Sequence, residues 1–185
     1  PGGHGALIEN LNDIEGDVIF LKNIDNVVPD RLKPEACKWK KTLGGYLITI
    51  QDKIFGYMEK LSSGSIDGPF IDQVTTFVKD ELLLPLPASI AGSSSGEKRA
   101  LLMERLDRPV RVCGMVRNVG EPGGGPFWVQ DQTGKSSLQI VETAQINPES
   151  KEQHAILSSS THFNSVDIVC GVRDWKGRPF DLSQY

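Results

Sequence analysis

The chain has little of what would tie it to a membrane, a secreted scaffold or a nucleic acid. Its three cysteines, Cys37, Cys113 and Cys170, are odd in number and far apart in 185 residues. That spacing offers neither a disulfide framework nor a metal-ligand set, and it fits a reducing cytoplasm. No apolar run approaches the roughly eighteen residues of a membrane span, and the first residues lack the basic-then-apolar order of a signal peptide. Aromatic residues make up only 7% of the chain. The cations Arg31, Lys38, Lys40, Lys41, Arg108 and Arg111 are scattered rather than gathered with aromatics. With a formal charge of −4 and a pI near 5.4, this argues against a nucleic-acid surface and leaves a free phosphorylated metabolite in play. The expected location is cytoplasmic, with no membrane and no nucleic acid among the partners. What is present, 38% hydrophobic and 24% charged residues, suits one globular domain or a large part of one.

Local patterning gives the order of elements. Ala6, Leu7, Ile8 and Leu11 predict a short amphipathic helix over 5–13, preceded by the glycine turn Gly2-Gly3-His4-Gly5. Residues 17–22 form a nearly continuous apolar run, the pattern of a strand buried on both faces of a parallel α/β sheet. Trp39, Leu43, Leu47, Ile50, Ile54 and Met58 predict a helix over 35–61, and Ile71, Val74, Phe77 and Val78 predict another over 70–83. Residues 84–97, rich in Pro, Ser and Gly, read as a linker. A short helix over 98–106 follows. Strands are predicted at 110–116, 126–130, 137–146 and 165–172, with a helix near 151–157. The expected class is α/β, a mixed, mostly parallel sheet flanked by helices, with a mainly helical insertion at about 62–106.

Two segments carry chemistry. Glycines at 2, 3 and 5 let a nucleotide approach the backbone, the helix N-terminus favours negative charge, and His4 can donate to a phosphate or sugar oxygen. A plain glycine turn with a solvated histidine is the alternative. Asn23, Ile24, Asp25 and Asn26 stand at the C-terminal end of the buried strand, where open α/β sheets place ligands. Two amides and a carboxylate there either bind something or form an Asx turn leading into Pro29. The stretch Gly123-Gly124-Gly125 lacks the lysine and serine of a P-loop and reads as a hairpin-like loop. Trp39, Trp128 and Trp175 read as packing residues, and His154 and His162 as surface residues.

These segments resemble the UDP-sugar pyrophosphorylases, nucleotidyltransferases with a GT-A-like fold. That family has a P-G-H-G turn before a helix and an F-x-x-N-x-D-N strand end, here Pro1 to Gly5 and Phe20 to Asn26. It continues with a G-G stretch, a G-K hairpin, an L-L-E-x-A-Q-V strand and an F-N-T-N-N cluster. The same order appears in Gly124-Gly125, Gly134-Lys135, residues 140–146 and residues 163–167. The resemblance implies Mg²⁺-dependent transfer of a nucleotidyl group from a nucleoside triphosphate, UTP by preference, to a sugar 1-phosphate. By position, Gly3 would meet the base, His4 the sugar or its phosphate, Asn23 the sugar, and Asp25 the metal and phosphates. His4 and Asp25 would then be the catalytic pair. Glu142 would accept hydrogen bonds from sugar hydroxyls, or is a solvated strand residue, and Asn164 would be a further sugar contact.

The departures are specific. Ala6 stands where those enzymes have Asp, Ile24 where they have Ser, and Val166 and Asp167 replace the second amide cluster. The arginine- and lysine-bearing loop that wraps the triphosphate is missing. This implies an incomplete nucleotidyltransferase-like domain, inactive by itself, or a nucleotide-sugar-binding or regulatory protein that kept the pocket without the chemistry. More narrowly, the stretches GGHGALIENLND, RPVRVCGMVRN and EPGGGPFWVQD are similar to the DUF4301 family, a domain of unknown function typical of Bacteroidetes.

Overall fold

The computed structural model describes residues 7–24, 27–64, 66–120, 123–132, 134 and 136–185. The elements are α1 (Ile8–Asn12), β1 (Val18–Lys22), α2 (Lys33–Ser62), α3 (Gly68–Thr76), α4 (Ser95–Leu106), β2 (Val110–Arg117), β3 (Gly125–Gln130), β4 (Ser136–Val141), α5 (Lys151–Ser158) and β5 (His162–Gly171). By contacts the chain divides into two compact units. The first comprises Pro1–Phe20, Lys41–Val112 and Val169–Tyr185, the second Leu21–Lys40 and Cys113–Ile168. Among the described residues, no helix is long and apolar enough to cross a membrane.

The class is mixed α/β, but the expected mostly parallel sheet is replaced by small antiparallel ones. One sheet has three strands in the order β1-β5-β2, and the other has two, β3 and β4, paired antiparallel from Gly125↔Val141 to Gln130↔Ser136. Chain length explains the second case. Only residues 131–135 separate β3 from β4, whereas a parallel pair needs a crossover of about a dozen residues. The apolar run of β1 also has a different meaning from the one expected: β1 lies at a sheet edge, and Phe20 is 50% exposed. Its ring rests on Gly44 of α2, where a Cβ would come within 2.9 Å of Phe20 Cζ. A glycine in the middle of α2 is thus a contact surface for that ring.

The core of the first unit follows the helical periodicity. Leu47, Ile50, Ile54, Met58 and Leu61 form one buried stripe along α2. Ile71 and Val74 of α3, Phe77 and Val78 of the π turn after it, and Leu102 and Leu106 of α4 complete the cluster. The segment read as a linker is shorter than expected, because it contains a 3₁₀ turn at Ala88–Gly92 and ends in a cap. Ser94 Oγ accepts from Glu97 N, while the Glu97 carboxylate accepts from Ser94 N at 2.7 Å. This reciprocal box starts α4 three residues earlier than apolar spacing alone predicts. Ser94→Ala is expected to lower the melting temperature by about 2–4 °C, read by calorimetry.

A cleft in the first unit, lined by residues including Gln51, Arg108, Asp174, Trp175 and Phe180, has a volume of about 10 Å³. That is room for about one water molecule. A sugar phosphate does not fit there.

Candidate functional site

The second unit brings together several of the residues singled out from sequence. β4 ends at Val141, and Glu142 follows it, half-buried, in a reciprocal capping box: its backbone N–H donates to Gln145 Oε1 at 2.8 Å, and its carboxylate accepts from Gln145 N. Antiparallel register sets Gly125 opposite Val141, so the residues just outside that pair, Gly124 and Glu142, face each other. A Cβ on Gly124 would lie 2.5 Å from Ile140 Cγ2 and 3.1 Å from Glu142 Cγ. Only glycine lets these two side chains close over the backbone at this point.

On its other side Gly124 forms an isolated antiparallel bridge with Asn164 of β5, whose N–H donates to Gly124 O at 2.8 Å. Asn164 is 4% exposed, and its amide is engaged at both ends. Nδ2 donates to Gly114 O of β2 at 2.7 Å, and Oδ1 accepts from Val166 N at 3.0 Å. Val166 has φ of 56°, in the left-handed region where a β-branched residue is strained by about 1–3 kcal/mol. The Asn164 amide therefore holds a strained kink inside β5. Structure thus gives Glu142 and Asn164 a common neighbour in Gly124, although they are twenty-two positions apart in sequence.

Beyond the kink, Asp167 meets the end of β1. Lys22 Nζ donates to both Asp167 oxygens, at 2.8 and 2.9 Å, with the two side chains 20% and 26% exposed. Ser165 Oγ donates to the same carboxylate at 3.3 Å. Asn23 is the next residue after Lys22 and is half-buried. Gly3, His4 and Asp25, assigned to the base, the sugar phosphate and Mg²⁺, lie outside the described residues.

The described part of the strand end does not supply a donor set for Mg²⁺. Asp167, the carboxylate found there, is bonded through both oxygens to Lys22, and no group of three or more His, Cys, Asp or Glu among the described residues is placed to hold a metal ion. That expectation stands on Asp25 alone.

Sequence reasoning missed two features. The Lys22–Asp167 pair spans 145 positions and had no local signal beyond a charge closing an apolar run. Trp128 was the second. It is 57% exposed rather than packed, as is Trp39 at 59%, while Trp175 does pack against the core of the first unit. Period-two alternation along β3 would have placed Pro126, Trp128 and Gln130 on one face. His154 and His162 are exposed, as expected, with ring nitrogens near Pro148 O and Thr161 Oγ1.

The sequence model of the family described as Domain of unknown function (DUF4301) matches residues 1–185. No curated protein and no solved structure matches the chain.

Proposed function

We propose that this chain, which belongs to the DUF4301 family, is the sugar-reading part of a sugar-1-phosphate uridylyltransferase-like protein. In the complete protein a sugar 1-phosphate oxygen attacks the α-phosphorus of UTP in line, the bond to the β-phosphate oxygen breaks, and pyrophosphate leaves. Positioning does most of the work in such a transfer, because no covalent intermediate has to be stabilised. A cytoplasmic location, where such substrates are found, agrees with three dispersed cysteines.

The observation that carries the reading is the meeting of Glu142 and Asn164 at Gly124. An ionised carboxylate only accepts hydrogen bonds, and sugar hydroxyls are donors suited to it. The ordered motif matches to UDP-sugar pyrophosphorylases support the same substrate class, and Asn23 and Asp25 supply the strand-end part of that pattern.

A second reading has its own observation. Lys22, the cation beside Asn23, is already matched by Asp167 through both oxygens. A site whose strand-end lysine is neutralised suits a nucleotide-sugar-binding or regulatory protein better than one that stabilises a leaving pyrophosphate.

The test is pyrophosphorolysis by the longest product of the reading frame that contains this chain, following UTP release from a panel of UDP-sugars with Mg²⁺ and pyrophosphate. The transferase reading expects UTP release from at least one UDP-sugar, abolished in Asp25→Ala. Glu142→Gln should raise KM for that sugar about tenfold, the loss of one hydrogen bond to a charged group, with a circular dichroism spectrum matching the parent, because glutamine keeps an oxygen for the cap bond from Gln145 N. UDP-sugar binding without release selects the second reading. Neither release nor binding defeats both.

A further inference from the structure

The β3–β4 hairpin carries a face that is exposed at Pro126, Trp128, Gln130 and Leu138 and whose residues are fixed by register. Side chains alternate along each strand, so Pro126 pairs with Ile140, Trp128 with Leu138 and Gln130 with Ser136 on one face. Gly124 and Glu142 belong to the same face, since a Cβ on Gly124 would meet both Ile140 and Glu142. Pro126 is exposed, and Trp128 and Leu138, directly opposite each other, are 57% and 40% exposed. The face therefore runs from a carboxylate, across an aliphatic pair, to an exposed indole and leucine, and ends in an amide and a hydroxyl.

Its size decides what can occupy it. Six residue pairs on two strands span about 20 Å by 10 Å, roughly 200 Å². A stable protein partner needs about 800 Å² from each side. The apolar part is smaller still, because polar residues bound it at both ends. Trp128 and Glu142 are separated by four residue steps along the hairpin, about 13 Å. One six-membered sugar ring laid over the Pro126/Ile140 pair fits in that interval, between the side chains at its two ends.

We propose that this face is a saccharide platform, on which a pyranose ring lies over Pro126 and Ile140, Trp128 closes over one end of its C–H face, and Glu142, through the lone pairs that its cap bond from Gln145 N leaves, accepts hydroxyl hydrogens at the other end. The chemistry of the two ends matches such a ligand. A pyranose has an apolar C–H face, which gains from burial against an indole, and an edge of hydroxyl donors for an acceptor-only carboxylate. A phosphate next to Glu142 is disfavoured in a chain of net charge −4, so the uncharged ring is the part of the ligand that lies there. The proposal rests on the nucleotide-sugar reading for the role of Glu142, and it adds Trp128 as the residue that grips the ring.

The experiment is saturation-transfer NMR with titrations of methyl glycosides, sugar 1-phosphates, UDP-sugars and UDP against the unaltered chain, Trp128→Ala and Trp128→Phe. The platform expects saturation on the ring C–H protons, a Kd for the sugar-bearing ligand raised about tenfold by Trp128→Ala and partly restored by Trp128→Phe, and no change for UDP. Because Trp128 is exposed, circular dichroism of Trp128→Ala should match the parent. Equal sugar affinity in parent and Trp128→Ala overturns the platform and leaves the nucleotide-sugar reading standing. Trp128-dependent binding of methyl glycosides without binding of any UDP-sugar upholds the platform and removes the nucleotide part. Absence of binding by every sugar-bearing ligand overturns the platform.

Discussion

Asp174→Ala is expected to lower the unfolding free energy by about 2–4 kcal/mol at neutral pH, measured by urea denaturation. The Asp174 side chain is 5% exposed. Its Oδ1 accepts from Lys176 N at 2.8 Å and from Arg178 N at 2.9 Å, and its Oδ2 accepts from Arg178 Nε at 2.7 Å. The carboxylate thereby organises the turn that carries Trp175 onto the core of the first unit. Alanine leaves two backbone N–H groups without their acceptor and a guanidinium without its counter-charge, so the cost exceeds that of one ordinary hydrogen bond.

Acid should have a related effect. Burial pushes the Asp174 carboxyl up, but the hydrogen bonds from the Arg178 backbone and side chain and from Lys176 N, with the Arg178 charge, outweigh it and hold the group below its ordinary value. A depressed folded-state pKa means that the unfolded chain binds the proton first as pH falls. The stabilisation is therefore complete above the usual carboxylate range and is lost as pH drops through it toward the folded value. Asp174→Asn, which keeps an acceptor oxygen without the charge, should flatten that part of the pH dependence. An Asp174→Asn protein with the parental acid slope would assign the slope to other carboxylates.

Asn164→Ala is the second large effect, about 2–4 kcal/mol, and it falls on the second unit. Truncation removes the side-chain donor to Gly114 O and the side-chain acceptor of Val166 N, leaving the left-handed Val166 without its restraint. Asn164→Asp separates the two contacts. It keeps an acceptor for Val166 N but sets a carboxylate oxygen against Gly114 O, so its deficit should shrink as pH falls and the acid form regains a donor. Hydrogen exchange at Val166 would locate the change. Protection of that amide undiminished in Asn164→Ala would show that the kink stands without the side chain. The same variants bear on function, because a sugar contact made by Asn164 would have to coexist with an amide already bonded at both ends.

Much of the element order is legible in the sequence because it depends on near neighbours. The stripe from Leu47 to Leu61 repeats every three or four residues, so one long helix follows whatever it packs on. Boundaries shift where side-chain capping replaces periodicity, as at Ser94 and Glu97. The apolar run at 18–21 misleads for a different reason. A continuous hydrophobic run is compatible with a doubly covered strand, but Phe20 and its neighbours make an edge strand whose apolar ring rests on a glycine of α2. For the candidate site, Glu142 and Asn164 could be named from motif positions, yet nothing local says that both reach Gly124.

The sequence alone determined the helical stripes and the order of the elements, since each is decided within a few residues, and the short span between β3 and β4 admits only an antiparallel pair. Tertiary structure decided the sheet order β1-β5-β2, the pairing of Lys22 with Asp167, the bracing of Asn164 on Gly114 and the exposure of Trp128. The physical reason is range. A local pattern selects a conformation through contacts that cost little loop-closure entropy, whereas a contact between residues 22 and 167 forms only once the intervening chain has packed.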